Sequence, residues 1–281
     1  MPAGGQPEPG AGPAGLDGVI ERAAAAAQVL VADPGAPVVD DTDAHHLSRV
    51  LRLRPGEVVV ATDGRGHWSS CRYCGPGDRG GAAPADQVLD LDGPVRFEPV
   101  PAPPLTVAFA PVKGDRPEWV VQKLTELGID RIVLLVTARS VVRWDGDRAD
   151  KAAGRLRRVA AEAAGQSRRV WLPDVIGPCD LSALAALLSP TPGEPTVGGP
   201  APGGQAPGGW ALAQLGGGPP AATTTAVAVG PEGGWSPDEL AAAPATMGLG
   251  SLVLRAETAA VAAGAILSGL RAGTVVGEGR P

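Results

Sequence analysis

Aromatic side chains are scarce in this sequence: Phe, Tyr and Trp together make up 3% of 281 residues. A core must therefore be assembled from Leu, Val and Ala, and alanine buries little area per residue. Cysteine is nearly absent as well, with Cys71, Cys74 and Cys179 alone. An odd count without a disulfide framework fits a reducing cytoplasm. Cys71-Arg-Tyr-Cys74 is a lone CxxC with no second pair and no nearby His pair. On a strand, residues three apart point to opposite faces, so no metal site is expected. Long hydrophobic runs are missing too. The stretch AAAAAQVLVA is too short for a bilayer, which needs about 20 apolar residues. MPAGGQPEPGAGPAG lacks the basic-then-apolar order of a signal peptide. The expectation is a soluble protein with no membrane partner. Nor is there an excess of positive charge: a net charge of −6 argues against coating by nucleic acid over the whole surface.

What charge there is lies unevenly. Between Arg139 and Arg169 stand nine basic and four acidic residues, a local +5 that leaves −11 elsewhere. A basic stripe on an acidic protein suits a partner docked on one face, although a charge run alone is more often a solvated helix face. Glycine (41) and proline (30) are abundant and concentrate in two places, so both places are expected to lack order. One is the N-terminal tail, residues 1–26. The other, at about 189–224, contains the run PTPGEPTVGGPAPGGQAPGGW.

From Ala27 to Pro99 the apolar runs are short: QVLVA, EVVVATDG, HWSSCRYC and QVLDLDG. Between the first two, Asp43 is expected to cap a short helix carrying Leu47, Val50 and Leu51 on one face. Short strands with one small helix predict a compact barrel over 27–99. PVPAPP reads as a stiff linker. Over 104–275 the rhythm becomes alternating strand and helix. LTVAFAPV and DRIVLLVTARSVV read as strands, with the helix PEWVVQKLTELG between them stopping at Gly128. Arg155 to Ser167 reads as a helix and AVAVG as a strand. Ser236, Pro237 and Glu239 form a capping box at a helix start. GSLVLR reads as the last strand and ETAAVAAGAILSGLRAG as the last helix. The fold class is α/β with a parallel sheet.

Two segments carry candidate chemistry. GPEGG (Gly230–Gly234) follows a strand and opens onto a helix, yet it is neither a P-loop nor GxGxxG. It holds no basic residue to grip phosphate, and Glu232 would repel one. Its glycines permit tight turning and close backbone approach. The bland reading is a tight strand-to-helix turn. In LGSLVLRAETAAVAAG (Leu249–Gly264), Arg255 stands where a strand is expected to end and Glu257 where a helix begins. Ligands of parallel sheets bind outside the carboxyl ends of strands, so neighbouring strands would bring these loops face to face. An ion pair between Arg255 and Glu257 is the structural alternative to a catalytic role.

Six segments occur together and in order over most of residues 27–272: HHLSRVLRLRPGE with DGRG; KGDRPEWVVQKLTELGID; TARSVVRW; EAAGQSRRVWLPDV; VGPEGGWSPDE; and LGSLVLRAETA. In these the chain resembles the bacterial 16S ribosomal RNA (uridine-N3) methyltransferase family of the SPOUT superfamily. The resemblance implies a C-terminal SPOUT domain with a deep trefoil knot, preceded by a small PUA-like β-barrel that binds RNA. It implies S-adenosylmethionine (SAM) held without phosphate by the two loops, at Val229, Gly230, Glu232, Gly233, Leu249, Gly250, Leu252, Leu254 and Thr258. Arg255 would stabilise negative charge on the base and Glu257 would take its proton or orient it. RNA contacts are expected from Arg49, Arg52 and Arg54, and from Arg139, Arg143, Arg168 and Arg169. His45 and His46 are expected to pack, and Gln166 and Ser167 to frame the substrate face. The implied partners are 16S ribosomal RNA or the small subunit and a second copy of the chain in a homodimer, with no metal and no membrane. A SPOUT enzyme with another RNA target and a non-catalytic assembly factor remain the alternatives. The sequence departs from the resemblance in its AAAAAQVLV opening, in Ala256 where a hydroxyl is usual, and in the insertion before GPEGG.

Overall fold

A computed structural model describes residues 16–75, 88–142, 144, 146–189 and 209–277. The chain divides into two compact units: residues 1–99 with 165–170, and residues 100–164 with 171–281.

The first unit begins with α1 (Leu16–Ala24) and β1 (Ala27–Leu30), followed by α2 (Asp41–His45) and a π turn over His46–Val50. Then come β2 (Val58–Thr62), β3 (His67–Tyr73), β4 (Leu89–Leu91) and β5 (Arg96–Phe97). The sheet runs β1-β2-β3-β4, with β5 also on β3; β1 and β2 are parallel and the other pairs antiparallel. Its core is Val29, Val31, Leu47, Val59, Ala61, Cys71, Tyr73 and Leu89.

Two expectations change here. Residues 16–24 are helical rather than part of a disordered tail, and the contacts of α1 explain why apolar pattern did not show it. Val19 and Ile20 are exposed, while Arg22 is 3% exposed. The Arg22 guanidinium lies 5.0 Å over the Trp68 ring, pairs with Glu98 at 2.6 Å and donates to the Arg168 carbonyl at 3.2 Å. The helix is held by a buried cation, so its apolar periodicity points the wrong way. The cap of α2 is Asp40 rather than Asp43: Asp40 accepts from the Asp43 N–H at 2.8 Å. Leu47 alone of the expected face is buried; Val50 and Leu51 are exposed because the backbone widens into a π turn. The expected tail over 1–15 lies outside the described residues.

The second unit carries β6 (Thr106–Phe109), α3 (Arg116–Glu126), β7 (Arg131–Leu135), α4 (Asp147–Gln166, whose last two residues belong to the first unit), β8 (Asp174–Cys179) and α5 (Leu181–Leu188). It continues through β9 (Gly209–Gly218), β10 (Thr224–Val229), α6 (Pro237–Ala242), β11 (Thr246–Met247) and α7 (Ala256–Ala272). All six strands are parallel, in the order β11-β9-β10-β6-β7-β8. Successive side chains alternate between faces, which splits the core in two. Val107, Phe109, Ile132, Leu134, Val227 and Val229 meet α3, α4 and α7. Ala108, Val133, Leu135 and Ala228 meet Leu184 of α5 and Trp235. Both faces being covered, the central strands read as unbroken apolar runs. The α7 helix packs tightly against α3: a Cβ on Gly264 would fall 2.6 Å from Leu124 Cδ2.

Three readings are corrected here. Residues 209–218 form β9 between β10 and β11, so the insertion does not reach 224; residues 190–208 lie outside the described residues. GSLVLR is loop rather than strand, and β11 lies upstream of it. Leu252 and Val253 are 76% and 84% exposed, so their apolar character serves no sheet. Helix α4 starts at Asp147, well before Arg155.

Candidate active site

The carboxyl ends of β10 and β7 lead into GPEGG and TARS, and β11 leads into LGSLVLR (Leu249–Arg255). In the first loop, Gly230 leaves room for Trp235. A Cβ there would come within 3.0 Å of the indole, whose Nε1 donates to the Ala213 carbonyl at 3.0 Å. Gly234 has φ of +68°, a conformation glycine adopts freely. The capping box is present: Ser236 Oγ accepts from the Glu239 N–H at 3.2 Å, and Glu239 Oε2 accepts from the Ser236 N–H at 2.7 Å. Glu239 Oε1 also accepts from the Ala138 N–H at 2.8 Å, and Arg139 Nη1 donates to the Gly233 carbonyl at 2.8 Å. The TARS loop thus braces the GPEGG turn from outside.

The second loop faces the first across a pocket, although β9 separates β10 from β11. The pocket is lined by Val229, Gly230, Glu232, Leu249, Gly250, Leu252 and Leu254, among others. Of the expected cofactor residues, Gly233 and Thr258 do not line it. Sequence reasoning missed Ala213, Gln214 and Leu215, which form a third wall, and Trp235. The signal was the Pro- and Gly-free run WALAQL within the low-complexity stretch. Glu232 is the only charged side chain among the described lining residues, so the pocket offers apolar walls, backbone groups and one carboxylate.

At the start of α7, Arg255 is the exposed N-cap residue and makes no side-chain cap. Glu257 does not pair with it. Its Oε1 lies 3.4 Å from Arg116 Nη1, its side chain is 12% exposed, and its buried Oε2 has no hydrogen-bond partner. Beside it on α3, Glu118 pairs with Arg155 of α4 at 2.5 Å. The cysteines offer no thiolate: desolvation pushes the thiols of Cys71, Cys74 and Cys179 upward. Among the described residues no group of three His, Cys, Asp or Glu could hold a metal, and no helix is long and apolar enough to cross a membrane.

The expected RNA-contacting arginines separate into kinds. Arg49, Arg52 and Arg54 are exposed on one short segment of the first unit. Arg168, in a positive-φ conformation of 59°, donates to the carbonyls of Gly165, Ala25 and Ala26, and burial lowers its guanidinium pKa. It is a backbone clamp within its own unit. Arg169 is half-buried with its carbonyl bound by Gln28, and Arg139 is the brace just described. Arg143 lies outside the described residues. His45 and His46 are exposed rather than packed; Gln166 is exposed and Ser167 half-buried.

Residues 99–268 match the RNA methyltransferase domain, and residues 39–79 the RNA methyltransferase PUA domain. The chain belongs to the RNA methyltransferase family. It is 36% identical over 242 residues to ribosomal RNA small subunit methyltransferase E of Mycobacterium bovis, covering 83% of this chain and 87% of that protein. The crystal structure of a probable rRNA-methyltransferase from Porphyromonas gingivalis superposes with a TM-score of 0.62 at 25% identity, over 85% of this chain and 94% of that one. The ribosomal RNA small subunit methyltransferase E of Neisseria gonorrhoeae, bound to S-adenosyl methionine, gives a TM-score of 0.64 at 22% identity, over 90% and 99% of the chains, and establishes the shared fold.

Proposed function

We propose that this RNA methyltransferase moves the methyl group of SAM to N3 of a uridine in 16S ribosomal RNA. The observation that carries the reading is the pocket between GPEGG and LGSLVLR, whose described lining has one carboxylate and no cation. A phosphate-bearing cofactor would meet Glu232 uncompensated. A ligand with a sulfonium, ribose hydroxyls and an adenine fits a carboxylate, backbone groups and apolar walls. When bound, SAM supplies an electrophilic methyl. The protein's part begins with Glu257: Arg116 holds one carboxylate oxygen, which leaves Oε2 to accept the N3 proton or hold the base. Arg255, exposed one residue before the pocket residue Ala256, is placed to offset charge developing on the uracil oxygens.

We further infer a trefoil knot and a homodimer. In support of the knot, main chain passes close to main chain, which fits threading: a Cβ on Gly217 would lie 2.7 Å from the Met247 backbone, and one on Gly277 would lie 2.7 Å from Ala222 N. In support of a dimer, Leu252 and Val253 leave the pocket rim apolar and exposed. Mass mapping of ribosomal RNA from a deletion strain tests the activity. One missing uridine methyl, restored by the wild-type gene and not by Glu257→Gln, is the expected result; an unchanged methylation map overturns the reading.

A further inference from the structure

Outside the pocket, the second unit holds a wide depression of about 600 Å³ lined by Val141, Trp144 and four cations of α4: Arg148, Lys151, Arg155 and Arg158. No acidic residue is among its described lining. The cations are spaced three, four and three residues apart, so they form one stripe along the helix, about 15 Å long at 1.5 Å per residue. Arg148, Lys151 and Arg158 are exposed and make no hydrogen bond or ion pair among the described residues. Arg155 is shared with Glu118. Trp144 packs partly against the core beneath and leaves part of its ring at the surface. A merely solvated helix face would have neither the concavity nor the indole.

We propose that this depression is a docking groove for single-stranded RNA, its cations following phosphates and Trp144 giving a surface on which a base stacks. Charge complementarity commits the groove to a polyanion, in a chain whose net charge is −6. The aromatic wall favours unpaired nucleotides over a duplex, whose bases are stacked internally. The groove also connects to the reaction site within the same unit. Arg155 meets Glu118 on the first turn of α3, and Arg116 on that turn meets Glu257 at the start of α7. RNA held along α4 would therefore lie on the side of α3 from which the target base reaches Arg255 and Glu257. The inference rests on the methyltransferase reading above and adds the surface that holds the substrate strand.

The test uses the full chain, with a fluorescent single-stranded oligoribonucleotide and in vitro transcribed 16S ribosomal RNA as probes in anisotropy titrations across a salt series. The variants are Arg148→Ala/Lys151→Ala/Arg158→Ala, which leaves the Glu118 pair intact, and Trp144→Ala beside Trp144→Phe. Loss of three phosphate contacts should make the log–log salt dependence shallower by about 2 and weaken binding at low salt about tenfold or more. Trp144→Ala should bind about fivefold weaker, with Trp144→Phe close to wild type. SAM affinity by calorimetry and the melting midpoint of the triple variant should not move. Wild-type affinity and salt slope in the triple variant would overturn the groove. So would a triple variant that falls to monomers while its RNA affinity holds, since the groove would then be a subunit contact. If the wild-type protein bound neither RNA, the methyltransferase reading itself would fall, a different result from selective loss in the variants.

Discussion

The two loops that face each other across the pocket are built in opposite ways. GPEGG is locked: Trp235 fills the space beside Gly230, Arg139 holds the Gly233 carbonyl, and Glu239 ties its helix cap to the TARS loop. Leu249–Leu254 makes no hydrogen bond among the described residues and exposes Leu252 and Val253. One wall is held by the chain's own hydrogen bonds and packing, and the other has little to hold it. Few contacts and exposed backbone mark the segments that open at low cost. Such a pocket would give way at its loose wall and hold its shape at the rigid one.

The sharpest test of that division asks where chemistry resides. Glu257→Gln and Arg255→Ala, at the foot of the loose wall, should each lower single-turnover methylation about a hundredfold or more while SAM affinity stays within about twofold. Full activity in both variants would remove them from the mechanism. Next comes the close approach that seats β9 beside the end of β11. Gly217→Val places a side chain against the Met247 and Gly248 backbones and should cost about 3 kcal/mol, read as a lowered denaturant midpoint. A wild-type midpoint would mean that the third pocket wall tolerates movement. Arg139→Ala should loosen the rigid wall, weakening SAM binding by about 1 kcal/mol in calorimetry. The smallest effect is dynamic. In hydrogen exchange without ligand, Leu249–Leu254 should exchange fast and slow on addition of SAM, whereas Val229–Ser236 should be protected in both states; equal rates would erase the contrast.

The same contrast explains what could be read in advance. The GPEGG loop was legible because its glycines, its Glu and the Ser236-Pro237-Asp238-Glu239 cap act on neighbours within a few residues. Val107, Val133 and Val227 were legible as core because strands covered on both faces keep an apolar run. GSLVLR carries the same apolar letters without a sheet to bury them, so its pattern reads as a strand where the chain forms a loop. Arg168 belonged to a basic run, yet it clamps the carbonyls of Ala25 and Ala26.

Local order therefore came from the chain's own letters: the alternation of strand and helix over 104–275, the stop at Gly128, the capping box, and a GPEGG turn that carries no cation. Folding in three dimensions decided the rest. It placed Trp210–Leu215 in the sheet and Ala213–Leu215 in the pocket, gave Glu257 to Arg116 instead of Arg255, and gathered Trp144 with the cations of α4 into a groove. The reason is one of range. Caps, turns and periodicity act between residues a few positions apart, whereas ion pairs and pocket walls join segments whose separation in the chain carries no local trace.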